Sequence, residues 1–154
     1  MATLNILSNS SDWRARKLSN FSSDSFIIDG ETMASVEGFI QGIKFPESDS
    51  RRQAAFQSSG IDAKRFGKKA ERKFAWWRER AIVYGSKEHH QLIERAIRAK
   101  FSQNLDARRA LIATEDLALT HDTGKPEPVN SSLPANVFCD ILTRIRQELL
   151  QARK

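Results

Sequence analysis

The chain has 154 residues, 40% of them hydrophobic and 29% charged, with one cysteine and a formal net charge of +6. That balance fits a single domain over residues 1–154 with one real core, and it excludes a disordered chain. No apolar run reaches the roughly 18 residues of a membrane span. Cys139 alone cannot form an internal disulfide, and Met1–Ser11 lacks the basic flank and apolar centre of a signal peptide. The sequence therefore reads as cytoplasmic, with no membrane partner.

In chain order, the first part reads as short strands and turns. Phe26-Ile27-Ile28 is a β-prone run closed by Asp29-Gly30, a pair that tolerates positive φ and so predicts a hairpin. Ser35 can cap a helix that runs to Phe45 and stops at Pro46. Short helices are expected over Arg52–Gln57 and from Asp62 to Gly67. Lys69–Val83, carrying Trp76 and Trp77, is expected to be helical, and so is Lys87–Asn104, with Leu92, Ile93, Ala96, Ile97 and Phe101 inward. Asp106 opens the next helix. Thr114–Leu133 reads as a long loop rich in Pro, Gly, Asn and Ser, and long loops in compact domains are often functional. The last helix begins at Pro134 and buries Phe138, Ile141, Leu142, Ile145 and Leu149. The expected class is mainly α, one compact helical domain with a small β-ribbon near the N-terminus.

The charge surplus is local. Between Lys64 and Arg80 stand eight Lys and Arg residues against two acids, a surplus equal to that of the whole chain. A solvated face is the plain explanation. The concentration also suits an anionic ligand, with a phosphate contact expected from at least one of Lys64, Arg65, Lys68 and Lys69.

Val36–Phe45 carries the most information. At about 100° per residue, Val36, Phe39, Ile40 and Ile43 share one arc, while Glu37, Gln41 and Lys44 form a narrow polar stripe beside it. Gly38 and Gly42 each cost the helix roughly 1 kcal/mol, so they imply close approach of a ligand or of another helix. The stripe is either an exposed face or an acid, an amide and an amine lining one pocket.

These residues resemble the NADAR (YbiA-like) family. Leu18-Ser19-Asn20-Phe21, the Asp29-Gly30 turn and Val36–Phe45 are similar to its (L/F)SNF, DGK and (V/S)EHYFQAQKF elements. Arg95–Asn104 is similar to its RALRAKFxQ helix, Leu111–Thr114 to LLLAT, and Ile141–Leu149 to its LLMxxREQL end. The order holds from about residue 18 to 150. Phe39 replaces the family's Tyr and Gly38 its His. Thr120 stands where an acid precedes the histidine, and Asp122–Pro134 has no D-x-x-WG-x-G element. The tryptophan expected before the RALRAKF helix is shifted, leaving Trp76, Trp77 or Tyr84 as candidates.

The resemblance implies an N-glycosidase acting on ribose attached to nitrogen, in ADP-ribosylated guanine of DNA or RNA or in a ribosylamino-pyrimidine phosphate. It also implies a lysine Schiff base, with Lys44 as nucleophile and Glu37 as proton carrier. Such a lysine needs a depressed pKa, so Glu37 and Lys44 must not form a tight ion pair. Substrate contacts are expected from Asn20, Phe21, Gln41, Trp77 and His121 and from the basic residues above. His89 and His90 read as solvated and Cys139 as core. No metal spacing is present and no cofactor is expected. A module that binds ADP-ribose without turnover is the alternative, and a nucleic-acid-binding protein using the basic segment ranks behind it.

Overall fold

A computed structural model describes residues 2–153. The elements run β1 (Thr3–Asn5), α1 (Trp13–Leu18), β2 (Phe26–Ile28), β3 (Glu31–Met33), α2 (Val36–Gly42), α3 (Ser50–Phe56) and α4 (Gly60–Gly67). There follow β4 (Phe74–Trp77), β5 (Arg80–Val83), α5 (Lys87–Gln103), α6 (Leu105–Ala113), β6 (Ala118–Thr120) and α7 (Ala135–Ala152). The architecture is mainly α, but the strands make three two-stranded ribbons where the sequence predicts one.

The β2–β3 hairpin turns at Asp29 (φ 48°) and Gly30 (φ 82°), with Ile28 opposite Glu31. The other two ribbons depart from the sequence expectation. β1 pairs in parallel with β6, Leu4 opposite Leu119, so part of the expected Thr114–Leu133 loop is a strand. Lys69–Val83 is not a helix: it holds the β4–β5 hairpin, with Trp77 opposite Arg80. The turn residues Arg78 and Glu79 sit at φ 53° and 64°, a conformation that usually selects Asn or Gly. Alternate burial along β4, with Ala75 and Trp77 inward, is the period-2 pattern that its helix-forming charged flanks obscure. The first part also contains α1, where only strands and turns are expected; Asp12 caps it by accepting from Arg14 N–H.

One hydrophobic cluster joins every element except α4, and α2 contributes Val36, Phe39 and Ile40 to it. Ser35 Oγ accepts from Gly38 N–H at 2.9 Å and donates to Ser58 O at 2.9 Å. Glu37 N–H donates to Asn20 O, which ties the Ser19–Phe21 turn to the start of α2. The last turn tightens, with Lys44 N–H donating to Gln41 O and Phe45 N–H to Gly42 O, and β4 closes the end through Trp76 N–H to Ile43 O. Lys100 of α5 is 1% exposed and donates to Lys17 O and Ser19 O, fixing the same turn from below.

The two glycines of α2 admit a helix, not a ligand. A Cβ at Gly38 would fall 2.5 Å from Ala55 O and one at Gly42 2.3 Å from the Phe56 ring, both on α3. Gly38→Ala should therefore lower stability by roughly 1–3 kcal/mol, because overpacking against backbone outweighs the gain in helix propensity. A urea melt checks this; an unchanged or raised midpoint would contradict it.

Candidate active site

On its side away from α3, α2 forms the floor of a cleft of about 410 Å³. Asn20 and Phe21 form one edge. Lys64 and Lys68 of α4 and Arg72 stand on another, and the segment from His121 to Leu133 supplies the opposite wall. The stripe is brought together here: Glu37, Gln41 and Lys44 line the cleft and are 8%, 6% and 4% exposed.

Lys44 has no hydrogen-bond or ion-pair partner among the described residues. Its Nζ lies 6.0 Å from the Tyr84 ring centroid. Burial brings its pKa down to about 8, helped by Arg72 and Lys64 and opposed by Glu37. Burial likewise pushes the Glu37 carboxyl up, against the pull of Gln41, Lys44, Lys64 and His121. Glu37 accepts from Gln41 Nε2 at 2.7 Å. Carboxyl and amine thus share the floor without an ion pair, so each is desolvated toward its neutral form.

His121 lines the cleft. Its Nδ1 lies 2.6 Å from Ile6 O, an acceptor only, so Nδ1 is the donor there and Nε2 is the ring nitrogen left for a ligand. Its ring packs edge-on against Phe138, another lining residue. Among the predicted basic residues, Lys64 and Lys68 reach the cleft. Arg65 and Lys69 do not; both are exposed, and Arg65 faces Asp62 at 3.9 Å.

Trp77 does not reach the cleft either. It is 4% exposed, packs edge-on against Phe39 at 5.2 Å, and donates its indole N–H to Asp29 at 2.8 Å. That role is structural: it locks the β4–β5 hairpin to the β2–β3 turn. Trp76 is half-buried beside Phe74. Tyr84 borders Lys44, and its hydroxyl accepts from Arg72 and donates to Asn130 O of the loop wall. His89 is fully buried, not solvated; its Nδ1 accepts from Gly85 N–H, and burial lowers its pKa to about 4. His90 is half-buried, and Cys139 is half-buried against the core.

Sequence reasoning misses Arg72, Lys125 and Phe138 as cleft residues. Arg72 lies within the basic segment but on a stretch expected to be helical, and Phe138 reads as core. A second depression, about 490 Å³, lies between β2, α5 and α7 and contains none of the stripe. Its Arg95 and Arg98 are engaged with Asp29, Glu94 and Glu148. Among the described residues no group of His, Cys, Asp or Glu could hold a metal, and no helix is long and apolar enough to cross a membrane.

Comparison with known proteins adds three findings. The profile of one family, bacteriophage protein GP30.3, matches residues 12–147. A protein of Enterobacteria phage T4, described as an uncharacterized 17.1 kDa protein in the Gp30–rIII intergenic region, is 28% identical over 97% of this chain and 100% of its own length. The NMR structure of the E. coli protein YbiA superposes with a TM-score of 0.70 at 23% identity, over 99% of this chain and 87% of that one. That likeness is one of fold.

The environment of Lys44 has a direct consequence. Its acetylation rate, followed by mass spectrometry against pH, should reach half its limit near pH 8. A midpoint near about 10.4, the ordinary value for lysine, would contradict the geometry.

Proposed function

The chain belongs to the bacteriophage protein GP30.3 family, which is NADAR-like, and from that membership and the cleft we propose that it is an N-glycosidase. Its substrate is a nucleotide-type compound with ribose attached to an amino nitrogen: ADP-ribosylated guanine in nucleic acid, or a ribosylamino-pyrimidine phosphate. The observation that carries the reading is Lys44, an amine buried at the floor of a cleft with a lowered pKa and no partner among the described residues. A lysine kept only for structure would be paired or would extend its charge to water.

The chemistry follows from a neutral amine. The ribosylamine opens its ring: the nitrogen's proton passes to the ring oxygen, and the anomeric carbon becomes doubly bonded to that nitrogen. Lys44 Nζ adds its lone pair to the carbon. The two Nζ protons then pass in turn to the departing nitrogen, Glu37 taking and returning each, and the bond to that nitrogen breaks with its electron pair. The base leaves as an amine, and the ribose remains as an imine on Lys44. Water hydrolyses the imine and restores the amine. Gln41 holds Glu37, Asn20 and His121 offer polar contacts to the sugar, and Phe21 offers an aromatic face. Lys64, Lys68 and Arg72 anchor phosphate.

A second reading, an ADP-ribose-binding module without turnover, draws on the loop Asp122–Leu133, which has no Trp and is exposed over residues 122–130. Binding without release of base would favour it.

Incubation with ADP-ribosylated DNA and with ribosylamino-pyrimidine phosphates, assayed for released base, tests the proposal. Lys44→Arg should abolish release, since arginine stays protonated and forms no imine. Glu37→Gln should slow it roughly 100- to 10,000-fold. The rate should climb as pH rises toward 8, because the lowered pKa frees the amine there and not near 10.5. Reversing charge at both Lys64 and Lys68 should raise KM with little change in kcat, as expected of anchoring shared by ground and transition states. Full activity in Lys44→Arg would overturn the imine.

A further inference from the structure

Glu37 and Lys44 occupy one floor but share no ion pair, and Gln41 stands between them on the stripe. Gln41 Nε2 donates to Glu37 Oε1 at 2.7 Å, whereas Gln41 Oε1 is buried with no partner among the described residues. That oxygen is not placed at random. A Cβ at Gly67 on α4 would fall 1.6 Å from Gln41 Oε1 and 3.2 Å from Lys44 Nζ. The spare oxygen and the amine therefore share one notch, and it exists because residue 67 has no side chain. Gly67 is helical, so it supplies space and not an unusual φ.

A carboxamide has an acceptor end and a donor end of the same shape. With Glu37 ionised, the nitrogen must face Glu37, and the oxygen in the notch can accept from an ammonium. With Glu37 protonated, its hydroxyl needs an acceptor, so the oxygen must face Glu37. The nitrogen then enters the notch, where only the lone pair of a neutral amine can receive it. A neutral Glu37 beside an ammonium then sets donor against donor in a buried site, whereas an ionised Glu37 beside a neutral amine stays satisfied, because the amine keeps two N–H donors. We propose that Gln41 is a positioning residue whose carboxamide turns over when Glu37 loses its charge, so that a neutral Glu37 disfavours the ammonium form of Lys44. Gln41 itself gains and loses no proton.

The surrounding groups do not supply this coupling. Lys64 of α4 and Arg72 before β4 bear on the pair from the cleft wall, and His121 faces Glu37 from the other side. His89 of α5 is held neutral. From α3, Arg52 is bound to Phe45 O and Trp76 O, and Glu31 of β3 acts on Arg52.

The inference rests on the glycosidase reading for its purpose but not for its test, which uses no substrate. The pH midpoint of Lys44 acetylation is measured in the native protein, Glu37→Gln, Gln41→Met and the double variant. Removing the Glu37 charge should lower the midpoint by about one unit or more with Gln41 present, as for strongly interacting sites. In the Gln41→Met background, the same change should shift it less than half as far. Equal shifts in both backgrounds would overturn the proposal. If Gln41→Met does not fold, as judged by circular dichroism, Gly67→Ala replaces it, because the new methyl displaces the amide without altering its chemistry. The same comparison then decides. A protein that shows the coupling yet releases no base would defeat the glycosidase reading alone.

Discussion

Ten consecutive residues, Val36–Phe45, are buried, and three of them are Glu, Gln and Lys. A short helix buried along its whole length must satisfy its polar groups locally or hold them neutral. The rest of the structure answers that constraint. Gly38 and Gly42 let α3 close directly on the backbone, which turns the stripe toward the cleft. Ser35 and Asn20 O take up the first N–H groups, and β4 takes the carbonyl of Ile43. Lys100 and Trp77 lie outside the cleft, yet they anchor the turn and the hairpin that hold its edges.

The same enclosure sets the electrostatics. Burial disfavours both charges, and the basic rim of Lys64 and Arg72 adds to the cost of an ammonium at Lys44, while Lys64 eases that of a carboxylate at Glu37. Direct contact between acid and amine would have fixed the charged pair and held Lys44 as an ammonium. An interposed amide keeps them coupled but separate. The positive field that would hold a phosphate thus also helps to free the amine, so binding and reactivity share one arrangement.

The parts legible in the sequence are those governed by local periodicity. The stripe on α2 and the Asp29-Gly30 turn follow from spacing alone, and α5 and α7 from their apolar faces. What escapes depends on distant partners. β1 and β6 pair across most of the chain, which no local pattern reveals. The Lys69–Val83 segment has charged helix formers at both ends, and its turn is made by Arg78 and Glu79, held at positive φ by the fold and not by their own preference. Trp77 reads as a stacking residue because aromatic residues serve both cores and ligands; its bond to Asp29 settles where it lies. His89 reads as solvated on a polar stretch of sequence, but the ring of Tyr84 covers it at 4.9 Å.

The central claim is that the Lys44 amine attacks ribose, and reductive trapping tests it most directly. The protein is mixed with an N-ribosylated substrate and borohydride, digested and mapped by mass spectrometry. The account predicts one stable ribosyl adduct, on Lys44, that is absent in Lys44→Arg. Release of base with no adduct on any lysine would contradict it and point to direct attack by water, with Glu37 as the general base.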